Sequence, residues 1–294
     1  MLYPSMSSIN VDWHNPDSAK YAAKRVSARF PSPSPQDLNR PVVIFAHGFG
    51  ASPFEWVEAQ NFLEQHSSAL VSNIYLGGHD SMQVFSSSLW QDWLQPISDE
   101  YNRLIELGFT SLYLVGGSTG ATLMLTALLE GSFSSLKPLK HLILVDTLVS
   151  PNNKTLYALP YLRWFYCKQT VPLSAEEEGH WLPQRPTHAL LELLSLIKHI
   201  NKQLQTHINI PDSLNISIFY SSDDPVVNPK SSIQIHDALS KNRLQASIHK
   251  INSNKHVFPR LLGRKNTTNQ DKKTQQHFFS LLKDYIHSAH PCSE

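Results

Sequence analysis

The sequence predicts an α/β protein in which helices cover both faces of a mostly parallel central sheet. Several short apolar runs lack the polar–apolar alternation of a half-exposed strand, which is typical of strands buried on both faces. Helix-forming segments alternate with most of these runs, as expected for parallel strands connected through helices. The predicted strands are 41–46, 70–76, 111–115, 140–145, 215–220 and 245–251, and the predicted helices are 55–66, 89–107, 119–130, 187–205 and 275–288.

The alternation stops between residues 147 and 211, where no apolar run of comparable strength occurs. This segment contains an aromatic-rich stretch at 156–166 and a long helical leucine pattern at 187–205. We therefore expect a core formed by 1–146 and 212–294 and a helical insertion formed by 147–211. Insertions of this kind form lids over active sites, but the same helices could simply cover the sheet.

Composition excludes some functional classes and favours none. The net charge of +1 gives no indication of a nucleic-acid partner or an anionic membrane surface. No apolar run approaches the roughly 18 residues of a membrane span, and the start lacks a basic segment followed by an apolar one, so we expect a cytoplasmic protein. The two cysteines, Cys167 and Cys292, provide neither a disulfide framework nor a metal-binding spacing. The oligomeric state stays open.

A glycine-flanked serine follows the third predicted strand. The segment 116–120 reads Gly-Gly-Ser-Thr-Gly, and helix-forming residues begin directly after it. A serine at such a strand-to-helix turn adopts a strained backbone and exposes its hydroxyl at the sheet edge, which requires small residues two positions away on either side. Ser118 is therefore a candidate nucleophile. A tight turn or a phosphate-binding loop would explain the glycines equally well, since a five-residue match alone is weak.

A second glycine-containing loop, His47-Gly48-Phe49-Gly50, follows the first predicted strand. Open α/β sheets bind ligands at the carboxyl ends of their strands. In a serine hydrolase, one backbone N–H from such a loop and one from the residue after the nucleophile hold the oxyanion. These donors would be Phe49 and Thr119. We interpret His47 as a residue that fixes the loop rather than as a catalytic base.

Serine chemistry also needs a base and an acid. Asp224 and His256 each lie in a loop directly after a predicted strand, so a parallel sheet would bring both to the edge that carries Ser118. Asp146, which ends another strand, and the neighbouring Asp223 are alternatives for the acid. Three other residues are less suitable: His249 lies within a strand, and His79 and Asp80 are adjacent on a loop that we expect to be solvent-side or structural.

Together these motifs resemble the α/β-hydrolase superfamily and, more narrowly, small carboxylesterases and monoacylglycerol lipases with a short helical lid. The resemblance covers about residues 40–288, and Trp90 to Trp93 is similar to that family's helix after the second loop. The sequence departs at Gly120-Ala121, where many members have two glycines, and at Gly78-His79-Asp80, where many have Gly-His-Gly. The motifs that carry the resemblance are His47-Gly48-Phe49-Gly50, Gly116-Gly117-Ser118-Thr119-Gly120, Asp224-Pro225-Val226-Val227-Asn228-Pro229 and Lys255-His256-Val257.

The resemblance implies ester hydrolysis through an acyl-enzyme on Ser118, with His256 as base, Asp224 as acid, and the Phe49 and Thr119 N–H groups as oxyanion donors. The expected partner is a small acyl ester, with no metal or organic cofactor. A thioesterase or amidase would use the same residues, and a catalytically silent hydrolase fold that binds a ligand is the alternative from another class. The acyl chain length is left open.

Overall fold

The computed structural model describes residues 22–162, 168–211 and 214–288. Its centre is a six-stranded sheet in the order β2-β1-β3-β4-β7-β8, and every pair of neighbouring strands is parallel. A separate two-stranded antiparallel sheet pairs β5 with β6. The strands are β1 Val42–Ala46, β2 Leu70–Ile74, β3 Leu112–Gly117, β4 Leu139–Val145, β5 Lys168–Thr170, β6 Gln184–Pro186, β7 Asn215–Ser221 and β8 Ala246–Ile251.

Helices connect successive strands of the parallel sheet. A 3₁₀ turn at Pro53–Trp56 leads into the first long helix, and another occupies Lys154–Ala158. The α-helices are α1 Val26–Arg29, α2 Pro35–Leu38, α3 Val57–His66, α4 Met82–Phe85, α5 Trp90–Glu106, α6 Thr119–Glu130, α7 Leu159–Leu162, α8 Thr187–Gln203, α9 Lys230–Lys241 and α10 Asn269–Ser288.

Two hydrophobic cores lie on opposite faces of the sheet. On one face, α5, α6, α8 and α9 pack against strand residues that include Val42 and Ile44. On the other face, α3 and α10 pack against Val43 and Phe45. Because consecutive strand residues are buried on opposite faces, the apolar runs show no alternation, and the predicted parallel sheet with helices on both faces is confirmed.

The closing helix begins earlier than its apolar pattern predicts. We expected it over 275–288, after a polar connector at 263–276, but α10 begins at Asn269. The Thr268 hydroxyl accepts a hydrogen bond from the Asp271 N–H at 3.1 Å, and the Asp271 carboxylate accepts from the Thr268 N–H at 2.8 Å. This reciprocal capping starts the helix in a polar stretch.

The segment between β4 and β7 contains two different structures. In α8, Leu193 and Ile197 are buried in the same core as α5 and α6, so this helix packs as part of the hydrophobic layer. The residues from 171 to 186 instead lie beside the carboxyl ends of the strands, where the Leu182 N–H donates to the Gly50 carbonyl at 2.8 Å. Within the described ranges, no helix is both long and apolar enough to cross a membrane.

Candidate active site

Ser118 lies in a strained turn between β3 and α6. Its backbone has φ 50° and ψ −118°, a region that non-glycine residues rarely adopt. The flanking glycines permit this turn, because a Cβ at Gly116 would lie 2.5 Å from the Ala121 Cα, and a Cβ at Gly120 would lie 2.4 Å from the Ala46 carbonyl oxygen. Backbone strain of this kind places a serine hydroxyl at the sheet edge.

Asp224 and His256 form a hydrogen-bonded pair at the same edge. The His256 Nδ1 lies 2.7 Å from the Asp224 Oδ2. The other carboxylate oxygen, Oδ1, accepts from the Val226 N–H at 2.7 Å and from the Val227 N–H at 3.0 Å, which fixes the carboxylate. Since an ionised carboxylate only accepts, Nδ1 is the donor in this pair, and in the neutral form of the ring Nε2 would carry the lone pair.

The loops after β1, β3 and β8 meet around Ser118. A Cβ at Gly48 would lie 3.3 Å from the Ser118 Cβ, so the first loop packs directly against the serine. A Cβ at Gly117 would lie 3.1 Å from the Val257 Cγ1, so the residue before the serine contacts the residue after the histidine. The structure therefore brings Ser118 into the neighbourhood of the Asp224–His256 pair.

Phe49 and Thr119, the expected oxyanion donors, lie in the loop after β1 and at the start of α6. Thr119 is the first residue of α6, where a backbone N–H has no partner within the helix. In the described ranges, neither the Phe49 N–H nor the Thr119 N–H donates to a backbone carbonyl. The Phe49 ring packs against Phe85 and Trp93, with ring centroids 5.0 and 5.6 Å away.

Comparison with solved structures gives one consistent result. One of the metagenome-derived lipolytic enzymes LipS and LipT is 18% identical, with a TM-score of 0.63 over 83% of this chain and 94% of that one. The chain has the α/β-hydrolase fold. A monoglyceride lipase from Saccharomyces cerevisiae is 16% identical, with a TM-score of 0.60 over 85% and 86% of the two chains. The monoacylglycerol lipase of Paleococcus ferrophilus is 11% identical, with a TM-score of 0.59 over 84% and 96%.

Comparisons of the sequence alone give no result. No protein-family model matches the chain. No curated protein matches it either. The α/β-hydrolase fold is therefore established by the architecture, at identities that show the fold and nothing finer.

Sequence reasoning missed the buried carboxylate that supports the first loop. The Glu55 Oε1 accepts from the Gly48 N–H at 2.9 Å, next to Phe49. Burial raises the pKa of Glu55, while Arg260 and His256 lower it. The only sequence signal is the position of this acidic residue between Phe54 and Trp56, directly after the loop.

His47 fixes the same loop from its other side. Its Nδ1 lies 2.9 Å from the Gly48 carbonyl oxygen, and its Nε2 accepts from the Leu76 N–H at 3.1 Å. Burial and the neighbouring His79 lower the pKa of His47 well below its usual value, so the ring is neutral. Both ring nitrogens have structural partners, which agrees with the interpretation of His47 as a loop-fixing residue.

Of the two expectations for His79 and Asp80, solvent-side or structural, the first is wrong. Both side chains are buried. The His79 ring lies within an aromatic cluster, 4.7 Å from Phe85 and 5.4 Å from Trp93. Burial lowers the pKa of His79 to about 4, so it is neutral at physiological pH. The burial of His79 could not be predicted from the sequence, because the rings that surround it, Phe85 and Trp93, come from two different helices.

The loop after His256 is also fixed by two arginines, of which Arg264 lies in the predicted connector 263–276. The Arg264 guanidinium donates to the His256 carbonyl oxygen. Arg260 pairs with Glu177 at 2.8 Å and lies 4.5 Å from the centroid of the Trp181 ring. These contacts join the histidine loop to the segment 171–186.

The alternative residues occupy different environments. Asp223 is exposed and accepts from the Ser222 hydroxyl at 2.7 Å. His249 stacks on Phe219, with ring centroids 4.4 Å apart, and is not part of the pair. Asp146 is buried, and one of its carboxylate oxygens lies within 4.8 Å of a carboxylate oxygen of Asp224 and of a ring nitrogen of His256.

Three potential metal ligands therefore lie together: Asp146, Asp224 and His256. The two carboxylates already accept hydrogen bonds, because Asp224 accepts from two backbone N–H groups and the imidazole, and Asp146 accepts from Ser221 and Phe258. A metal would have to displace these bonds, so the donor set fits a hydrogen-bonded acid–histidine pair better than a metal centre.

Proposed function

We propose that this protein is a serine hydrolase that cleaves carboxylic esters through an acyl-enzyme on Ser118. The observation that carries the proposal is the combination of a strained serine turn with the Asp224–His256 pair, 2.7 Å apart, in loops that meet at one sheet edge. Serine needs such a base, because its hydroxyl proton does not dissociate readily at neutral pH.

In the proposed first step, the Ser118 hydroxyl attacks the acyl carbonyl carbon while the His256 Nε2 takes the hydroxyl proton. Asp224 stabilises the imidazolium that forms. The Phe49 and Thr119 N–H groups hold the oxyanion. The tetrahedral intermediate then collapses, and the alcohol leaves with the proton from His256.

The second step repeats this chemistry with water. His256 removes a proton from the water molecule, and the resulting hydroxide attacks the acyl-enzyme carbonyl. The carboxylic acid leaves as the C–O bond to Ser118 breaks, and the proton returns to the serine. The same oxyanion donors serve both steps.

Within the predicted insertion 147–211, we propose residues 171–186 as the lid over this site, since α8 packs in the core. This part contacts both loops of the proposed machinery, through the Leu182 N–H on Gly50 and through Glu177 on Arg260. Phe54, just after the first loop, stacks on His180 with ring centroids 4.1 Å apart. A lid attached in this way would shape the space available to the acyl chain.

Similar solved structures support an ester as the substrate. They are described as lipolytic enzymes and monoacylglycerol lipases. Another, with a TM-score of 0.54 and 16% identity, is Est1E from Butyrivibrio proteoclasticus with ferulic acid bound. A thioesterase or amidase would use the same serine, histidine and aspartate, so the choice of an ester in this proposal rests on these similar structures.

Hydrolysis of p-nitrophenyl esters of increasing acyl length by the purified chain tests the proposal. We expect turnover by the wild type and a loss of at least about 10³-fold in kcat for Ser118→Ala. Ser134→Ala, an exposed serine between α6 and β4, should retain full activity. Equal rates for wild type and Ser118→Ala would overturn the assignment. Parallel aryl thioesters and anilides identify the preferred leaving group.

A further inference from the structure

Asp146 is a buried carboxylate beside the proposed machinery to which the hydrolytic steps assign no role. It directly follows β4, its side chain is buried, and its backbone φ is 46°. A non-glycine residue in this left-handed region is unfavourable unless surrounding contacts hold it there. Aspartate tolerates the region better than most residues, because its short side chain can form local hydrogen bonds.

The contacts of Asp146 join the two loops that carry Asp224 and His256. Its Oδ1 accepts from the N–H of Ser221, the last residue of β7, at 2.6 Å. Its Oδ2 lies 3.4 Å from the N–H of Phe258, two residues after the histidine. One carboxylate therefore binds the chain three residues before the acid and two residues after the base.

The Ser221 hydroxyl extends this connection. It lies 3.2 Å from the Asp146 Oδ2 and 2.8 Å from the Lys255 carbonyl oxygen. Since a hydroxyl has one proton, it is shared between the carboxylate and the backbone of the histidine loop. The end of β7 is thus fixed to the residue that precedes His256.

The charge of Asp146 also acts on the pair. Burial and, second to it, the negative charge of Asp224 together raise the pKa of Asp146 to about 6, against the lowering effect of His256. Arg264 and this carboxylate attract each other, and Glu55, Arg260 and Glu177 are further charged groups that act on Arg264. Above about pH 6 the imidazole thus has a second negative charge nearby, besides its direct partner.

We propose that Asp146 is a positioning residue of the proposed active site, which holds the acid and histidine loops together and adds a negative charge that stabilises the His256 imidazolium. It does not touch the reacting atoms, and Asp224 remains the direct partner of His256. The inference rests on the proposed ester hydrolysis and adds a residue to it.

Asp146→Asn removes the negative charge but keeps the shape of the side chain, and its amide oxygen can still accept one of the hydrogen bonds. We expect kcat at pH 8 to fall about tenfold, the factor that accompanies loss of one charge-assisted hydrogen bond, with KM unchanged. The acid-side midpoint of the kcat/KM profile should move to lower pH by about one unit, because removing a nearby negative charge disfavours the protonated imidazole.

Two further variants act as controls. Ser221→Ala removes the shared hydroxyl but no charge, so it should lower kcat without moving the acid-side midpoint. Glu100→Gln removes another buried carboxylate, which is bound to Ser27 and Ser72 rather than to the acid or histidine loop, and should leave both kcat and the midpoint unchanged.

A folded Asp146→Asn protein with kcat within twofold of wild type and an unmoved midpoint would overturn the inference. If Asp146→Asn does not fold, Asp146→Ser is tested in the same way, and an unmoved midpoint there has the same meaning. Failure of the wild type to cleave any ester would instead refute the proposed hydrolysis, so the two failures are distinguishable.

Discussion

Replacing Asp224 with asparagine exchanges one carboxylate oxygen for an NH₂ group and tests the role of the pair directly. In the native arrangement Oδ1 accepts from the Val226 and Val227 N–H groups, and Oδ2 accepts from the His256 Nδ1. If the amide oxygen keeps the two backbone bonds, the NH₂ group faces Nδ1, and the imidazole must move its proton to Nε2. In that tautomer His256 cannot accept the serine proton.

The opposite orientation of the amide also has a cost. With its oxygen on His256, the NH₂ group would face two backbone donors and leave both without an acceptor, at about 1–3 kcal/mol for each buried group. The asparagine is therefore expected to select the inactive tautomer, and kcat should fall about 10⁴-fold. KM should change little, because Asp224 does not contact the substrate in the proposed mechanism.

Steady-state hydrolysis of a p-nitrophenyl ester at pH 8 measures this effect. Asp223→Asn is the matched control, since this neighbouring aspartate is exposed and is not hydrogen-bonded to His256, and its kcat should stay within about twofold of wild type. An Asp224→Asn protein with more than a tenth of wild-type kcat would refute the assignment of Asp224 as the acid. A large loss of kcat in Asp223→Asn would also refute this assignment, because it would favour Asp223 as the acid.

Other consequences of the structure can be measured separately. Gly120→Ala should lower the free energy of unfolding in urea by about 3 kcal/mol, because the added Cβ would lie 2.4 Å from the Ala46 carbonyl oxygen. In the control Gly131→Ala, the added Cβ has no atom within 4 Å, and only the positive φ of 69° is unfavourable, so the loss should be about 1 kcal/mol. Because the native pKa of Asp146 is raised from its ordinary 3.8 to about 6, its contribution to stability is complete at low pH and is lost as the pH rises through 6. Relative to Asp146→Asn, the wild type should therefore lose about 1 kcal/mol of unfolding free energy between about pH 5 and pH 8. An equal pH dependence of stability in both proteins would contradict the raised pKa of Asp146. Prolonged EDTA treatment should leave ester hydrolysis unchanged, and loss of activity that Zn²⁺ restores would favour a metal at the Asp146 cluster.

Much of the fold could be predicted, because both faces of each parallel strand are buried. Runs such as Val42–Ala46 are apolar throughout for this reason, and the glycines around Ser118 mark a turn that few other residues permit. Strand ends then locate Asp224 and His256 at one edge, because all parallel strands end on the same side. The pairing of these two residues follows from topology more than from any local motif.

The supporting contacts could not be predicted, because they depend on residues that only tertiary packing brings together. Glu55 meets the Gly48 N–H across a turn, and Arg264 reaches the His256 carbonyl from a polar stretch that resembles a connector. Similarly, the sequence shows Asp146 only as a rival acid, while its bonds to Ser221 and Phe258 exist because β4, β7 and the histidine loop are adjacent in space.

The most direct test of the proposed nucleophile is covalent labelling with a fluorophosphonate, read by intact mass and by peptide mapping. The wild type should gain one adduct, located on Ser118, and lose its ester hydrolysis in step with labelling. Ser118→Ala should gain none, while Ser134→Ala should label at the wild-type rate. An adduct of equal yield in Ser118→Ala, or an unlabelled protein that still cleaves esters, would contradict the account.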